Sequence, residues 1–295
     1  MNKAVGRALG LGWLLAPVLV WLLGLLVLPH MELLWLSLQE RVGPGEYAWS
    51  LRQYRTFVEE PLYWHTYVRT AVMSALATAL TLLLAFPVAW VIAKLVPSRR
   101  KAAWMLLVLM PFWVSELVRT LGWLILLRHG GVISYVLQHW GWTSEPVELL
   151  YRDATVLLGL VYGSLLFMVV PLVHSLETLD DSLVEAAYDL GARHWEVLWH
   201  VVLPHAAPGI TAGCIVVFML CVGNYLTPVL LGGKDALWFT EMVYTQFISR
   251  FNWHQGAAFG FLLLILSTGL VWLGLRLTGQ RLDHGAHVAL VARGE

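Results

Sequence analysis

EAAYDLGARHWEVLWHVVLPHAAPGI, residues 185–210, is a short charged and patterned stretch in a chain that is 59% hydrophobic. Just upstream, Ser182-Leu183-Val184-Glu185 matches a capping box, in which a serine caps a helix start and a glutamate three residues on reaches back to the cap. From this start Glu185, Asp189, Arg193 and Glu196 recur at spacings of four, four and three, which makes one polar stripe, with Leu183, Ala187 and Leu190 on another side. Gly191 stands where a left-handed residue ends a helix. Trp195, Leu198, Trp199 and Val202 then follow at i, i+3, i+4 and i+7, and the pattern stops before Pro204. The expected product is a helix, a sharp bend and a second helix. Taken alone, a residue such as Glu185 is more commonly a plain helix cap, here on an amphipathic loop resting against lipid headgroups.

The rest of the chain says what surrounds this elbow. Of its 295 residues 13% are charged, about half the fraction that clothes a soluble globule, so a membrane is the solvent. Uncharged runs long enough to cross a hydrocarbon layer occupy Leu9–Leu28, Ala71–Ala93, Ala154–Leu176, Ala206–Gly233 and Gln255–Leu275, and Ala102–Leu127 is equally apolar apart from Glu116 and Arg119. The expectation is an all-α membrane protein of six spans in one transmembrane domain, 1–295, without internal repeats. The first run follows Lys3 and Arg7 but is too long for a signal core and lacks a small-x-small cleavage site, so it reads as a retained helix. The formal net charge of +0 gives no reason to expect nucleic acid. Cys214 and Cys221, seven residues apart on one helical face, read as small apolar packing groups.

Orientation follows from the connection Lys94–Lys101, which holds Lys94, Arg99, Arg100 and Lys101 and no acid, and therefore belongs in the cytoplasm. Both termini and the elbow, 182–204, then face the cytoplasm too. Residues 29–70 form an extracytoplasmic loop rich in Trp and Tyr, read as an aromatic belt that includes a short surface helix, or as a docking surface for an outside partner. Pro87, Pro171 and Pro228 read as kinks. His194, His200 and His205 share no helical face and read as interfacial polar residues; His284 and His287 form a weak metal-type pair near the C-terminus. No metal site is expected.

In order, Glu185-Ala186-Ala187, three residues, Gly191, nine residues, Val201, one residue and Leu203-Pro204 resemble the EAA motif of the permease subunits of ATP-binding cassette importers. Val201 stands where isoleucine is usual. The resemblance implies the type I ABC importer permease (MetI-like) fold with a cytoplasmic coupling helix, in the bacterial inner membrane. It further implies partners: an ATPase homodimer that binds the ATP and magnesium, a second related permease, an extracytoplasmic solute-binding protein and membrane lipid. Glu185, Ala186, Ala187, Asp189, Gly191, Arg193, Leu203 and Pro204 become the ATPase-coupling residues, and the chain itself needs no cofactor and is no enzyme.

Pro111-Phe112-Trp113 with Leu117-Val118-Arg119-Thr120, Gly223-Asn224-Tyr225-Leu226-Thr227-Pro228 with Leu231-Gly232-Gly233, and Phe239-Thr240-Glu241-Met242-Val243 resemble the first permease subunit of spermidine/putrescine-type transporters. This implies a path for a small organic cation of the polyamine class; another small organic solute (amino acid-like, opine, phosphonate or vitamin) is the alternative. Where that family has Gly-Asp-Phe this chain has Gly223-Asn224-Tyr225, and Glu116 replaces a usually neutral residue. Trp113, Glu116, Arg119, Asn224, Tyr225, Thr227 and Pro228 are the candidate pathway and gate residues. An ionisable group within a span is costly and so often functional: Glu116 either attracts an amine, with Tyr225 and Trp113 as aromatic faces, or pairs with Arg119 one turn later. An intramembrane enzyme would need ligands such as His-Glu-x-x-His, and ATP hydrolysis a Gly-x-x-x-x-Gly-Lys-Ser/Thr; neither pattern is present. An ion-coupled secondary transporter would show inverted repeats, and none is evident.

Overall fold

A computed structural model describes residues 15–43, 45–233 and 236–277; the early part of the first apolar run and the His284/His287 pair lie outside them. Among the described residues six helical stretches are long and apolar enough to cross a membrane: Leu15–Ser37, Pro61–Leu95, Glu116–His139, Asp153–Glu177, His194–Val222 and Trp253–Arg276. By contacts the chain divides into two compact units, 15–64 with 242–264 and 65–241 with 265–277.

The first unit begins with α1, Leu15–Ser37, whose Val20, Trp21 and Leu28 are at least 66% exposed, as a helix facing lipid would be. A hairpin follows, β1 Gln39–Gly43 against β2 Glu46–Trp49, with Gly45 in the left-handed region its turn requires (φ 85°). Then comes α2, Arg52–Glu59, the short helix expected in the outer segment. Phe57 is buried, with Trp64 at 5.9 Å and Phe259 at 6.2 Å between ring centroids, and Tyr63 meets Phe259 at 4.8 Å. Edge-to-face aromatic contacts of this kind add to plain burial.

The second unit holds most of the long helices: α3 Pro61–Leu95, α4 Ser98–Leu109, α5 Glu116–Leu127, α6 Val132–His139, α7 Asp153–Glu177, α8 Asp181–Asp189, α9 His194–Val197, α10 Leu203–Val222, α11 Leu226–Gly232, α12 Phe239–Tyr244 and α13 Trp253–Leu277. Residues 61–64 of α3, 242–244 of α12 and 253–264 of α13 belong to the first unit. The seam between α7 and α10 is its centre. A lipid-bathed helix gains nothing from hiding apolar surface, so association depends on close packing, which small residues permit. A Cβ at Gly209 would stand 2.6 Å from the carbonyl oxygen of Pro171 and 2.6 Å from Ser175 Cβ, and one at Gly213 would meet Met168 Sδ at 2.6 Å. Around this seam Met168, Val169, Leu172, Leu176, Ala206 and Val217 are fully buried.

Two expected spans are not continuous. Pro111 has no N–H to donate and fixes its φ, so the stretch 102–127 becomes α4, a 3-10 turn at Met110–Trp113, and α5, whose start is capped by the Ser115 hydroxyl. The stretch 206–233 breaks at Gly223–Tyr225 between α10 and α11.

Gly209→Val should drive a side chain into the backbone of α7 and destabilise the fold by about 1–3 kcal/mol, seen as a lower melting temperature in detergent. Gly269→Ala, where an added Cβ meets nothing within 4 Å, should leave the melting temperature unchanged or slightly raised.

Candidate functional site

Both breaks open onto one cavity of about 500 Å³, lined among others by Phe112, Glu116, Arg119, Phe167, Asn224 and Tyr225. A helix break inside a membrane leaves backbone groups needing partners, and it is tolerated where it is buried in protein or lines a cavity. Here one side chain links the two breaks. The N–H of Thr227 donates to Asn224 Oδ1 (2.9 Å), which starts α11, and this fixes the amide so that its Nδ2 donates to Glu116 Oε1 (2.7 Å) at the first turn of α5. Glu116 also sits at the positive end of the α5 dipole, a favourable place for a carboxylate.

The structure brings together Glu116, Arg119, Asn224 and Tyr225 of the expected pathway set. It forms no ion pair between Glu116 and Arg119: the carboxylate is taken by Asn224, and the Arg119 guanidinium lies over the Phe112 ring at 4.5 Å and the Tyr162 ring at 5.8 Å. Trp113 does not line the cavity and is 75% exposed. Thr227 and Pro228 are buried outside it, Thr227 filling the space over Gly159, so they shape α11 rather than the cavity wall. Phe167 and Ser164 are lining residues that the sequence pattern did not single out, and Phe112, there only part of the Pro111-Phe112-Trp113 motif, lines the cavity too. Among the described residues no cluster of His, Cys, Asp and Glu could hold a metal.

The elbow is built at the other end of α7. Gly191 adopts φ 86°, the left-handed bend that its position predicts. The cap is not the expected Ser182 with Glu185. Asp180 caps α8, its Oδ1 accepting from the Ser182 N–H at 3.0 Å, which leaves Ser182 inside the first turn and Glu185 exposed. A carboxylate two residues earlier competes better for the free amides than a hydroxyl does. The reciprocal contact occurs one helix later, where the Arg193 N–H donates to Glu196 Oε2 (2.7 Å). Asp189 lies on the exposed side with Glu185, Arg193 and Glu196; Ala186 is exposed, while Ala187 rests on the core cluster. The helix expected to stop before Pro204 instead continues through it: His194–Val222 is one helical stretch, with a π-helical turn at Leu198–Val202 immediately before Leu203 and Pro204. Lys94 Nζ donates to Asp181 Oδ1 (2.6 Å) and to the Leu179 carbonyl, and Lys101 Nζ to Glu177 Oε1 (3.0 Å). The basic connection and the elbow therefore occupy one end of this unit. Leu190 is 89% exposed, and Trp195, whose ring meets Trp199 at 5.6 Å, is 66% exposed, so the elbow carries an exposed apolar surface.

Residues 66–278 match the family described as binding-protein-dependent transport system inner membrane component. The chain belongs to this family. Its members are permease subunits of ABC importers rather than enzymes, with no cofactor evident, and the chain is a multi-pass inner membrane protein. It is 33% identical over 262 residues to the spermidine/putrescine transport system permease protein PotB of Haemophilus influenzae, covering 88% of this chain and 91% of that one. It is 34% identical over 219 residues to the inner membrane ABC transporter permease protein YdcU of Escherichia coli, covering 70% and 69%. In fold it resembles a chain of a bacterial alginate ABC transporter solved with an alginate pentasaccharide-bound periplasmic protein, with a TM-score of 0.76 over 94% of this chain and 96% of that one at 17% identity.

The Ser182 backbone N–H, with help from its hydroxyl, holds the Asp180 carboxyl below its ordinary value of 3.8. Its capping contribution is therefore complete above that value and disappears as pH falls through the lower folded value. Asp180→Ala should speed hydrogen–deuterium exchange in the first turn of α8 at neutral pH, while Asp180→Asn, which still offers an oxygen, should stay near the parent rate.

Proposed function

We propose that this permease forms the translocation path for a small organic cation of the polyamine class, working by alternating access. The observation that carries this reading is the carboxylate of Glu116, held by Asn224 between two helix breaks, in a cavity that also presents the Phe112 and Tyr225 rings. A carboxylate in a low-dielectric space attracts an ammonium, and aromatic faces add cation–π attraction. The names of the PotB relatives point to the same solute class.

In this reading an extracytoplasmic solute-binding protein delivers the solute to the outer side, and the cavity is completed by a second, related permease. A pair of ATPase subunits, which bind the ATP and magnesium, grips the elbow from the cytoplasm, where both termini also lie. Glu185, Ala186, Asp189 and Arg193 face the motor. Ala187 and Gly191 allow close approach and the bend, and Leu203-Pro204 pass the push into α10. The exposed Leu190 and Trp195 supply the apolar area that such a contact buries.

The test is uptake of radiolabelled putrescine into proteoliposomes that hold the complete transporter. Uptake should require ATP and the binding protein, and Glu116→Gln should lower it roughly tenfold at subsaturating putrescine, since a charge-assisted hydrogen bond becomes a neutral one. Normal uptake by the glutamine variant would remove Glu116 from the path, and uptake driven by an ion gradient without ATP would overturn the importer reading.

A further inference from the structure

Arg119 is the unusual group of the cavity. It follows Glu116 by three positions on α5, a spacing at which side chains are neighbours, and both line the same space. Yet the guanidinium rests on the Phe112 and Tyr162 rings, and its Nε and Nη1 are buried without an acceptor. A buried cation left unpaired is costly, and the ring faces offset only part of that cost. A group with a purely structural task would have its N–H donors satisfied. An acceptor for these donors stands one turn back on the same helix: the Glu116 carboxylate, which in this conformation accepts from the neutral amide of Asn224.

Release of a bound amine raises a matching difficulty. An ammonium that leaves Glu116 in a low-dielectric cavity strands a bare carboxylate, which is as unfavourable as the unpaired guanidinium. Exchanging one cation for the other relieves both at once. Building on the reading that an ammonium-bearing solute meets Glu116, we propose that Arg119 is a tethered cation that competes with the solute for this carboxylate. Resting on Phe112, it leaves Glu116 open to the amine; swinging back to Glu116, it displaces the amine and pairs the carboxylate that the amine leaves. Arg119 is then a release residue, and Phe112 sets how readily it lets go.

The experiment uses the complete transporter in proteoliposomes with radiolabelled putrescine, read as half-saturation, maximal rate and amine retained after washing. Arg119→Gln should lower the half-saturation concentration and the maximal rate together, each by about fivefold or more, and raise the retained amine, because binding loses its competitor and release loses its driver. Arg119→Lys should recover most of the rate. Phe112→Leu, which weakens the resting place, should raise the half-saturation concentration about threefold. Arg119→Gln with unchanged half-saturation and retention overturns the competition, as does a parallel loss of uptake and retention that lysine does not rescue. Glu116→Gln separates the two levels. If that variant transports normally, the cavity reading itself fails; if it is impaired while Arg119→Gln behaves as the parent, only the competition fails.

Discussion

Inside a hydrocarbon layer every backbone N–H and C=O needs a partner, and at the two helix breaks that constraint is met by side chains, the Ser115 hydroxyl at the start of α5 and, at the start of α11, Asn224. Its Oδ1 takes the Thr227 amide that would otherwise begin α11 unpaired, and its Nδ2 takes the Glu116 carboxylate at the start of α5. The cavity lies where the two helices stop, and this side chain ties one break to the other through the Glu116 carboxylate. Chemistry and architecture thus share one contact: the group that steadies the breaks also presents a carboxylate to the space they enclose.

The α7–α10 seam ties this cavity to the elbow. Glycines 209 and 213 let the two helices approach until backbone and side chains touch, so the pair is stiff along its length. Phe167 and Ser164 on α7 line the cavity at one end of the seam. At the other, Val197 and Val202 of the elbow are buried against the same core cluster, with Lys94 and Lys101 fastening the end of α7 and the start of α8 to the neighbouring connection. A displacement of the elbow has a rigid element to act on. This is the physical basis for proposing the elbow as the place where a partner's motion enters.

Much of this was legible from local pattern. The six apolar stretches report themselves by length, and Gly191 announces its left-handed bend because few other residues tolerate it. What the pattern misses is set by competition or by distance. Ser182 and Glu185 carry the form of a capping box, but Asp180 caps the helix two residues earlier through the Ser182 N–H, so both residues lie inside α8. Hydropathy reads straight through Pro111 and Gly223, since a break costs little apolar content, so two spans looked continuous. The hairpin before α2 is short and exposed, and leaves almost no hydrophobic trace. Glu116 and Asn224 were each noticed for departing from a pattern, yet nothing in a linear sequence joins positions 108 residues apart; the turn spacing to Arg119 suggested the wrong partner.

The central claim, that the space between the helix breaks is the path of the solute, is tested most directly by thiol labelling. Phe167→Cys, in a chain whose Cys214 and Cys221 have been changed to serine, places a probe on the cavity wall. In the assembled transporter a water-soluble maleimide should modify it at a rate that differs severalfold between the nucleotide-free and ATP-trapped states, and putrescine should slow the reaction. A cysteine that reacts at one rate in every state, unaffected by putrescine, or that never reacts, would contradict the account.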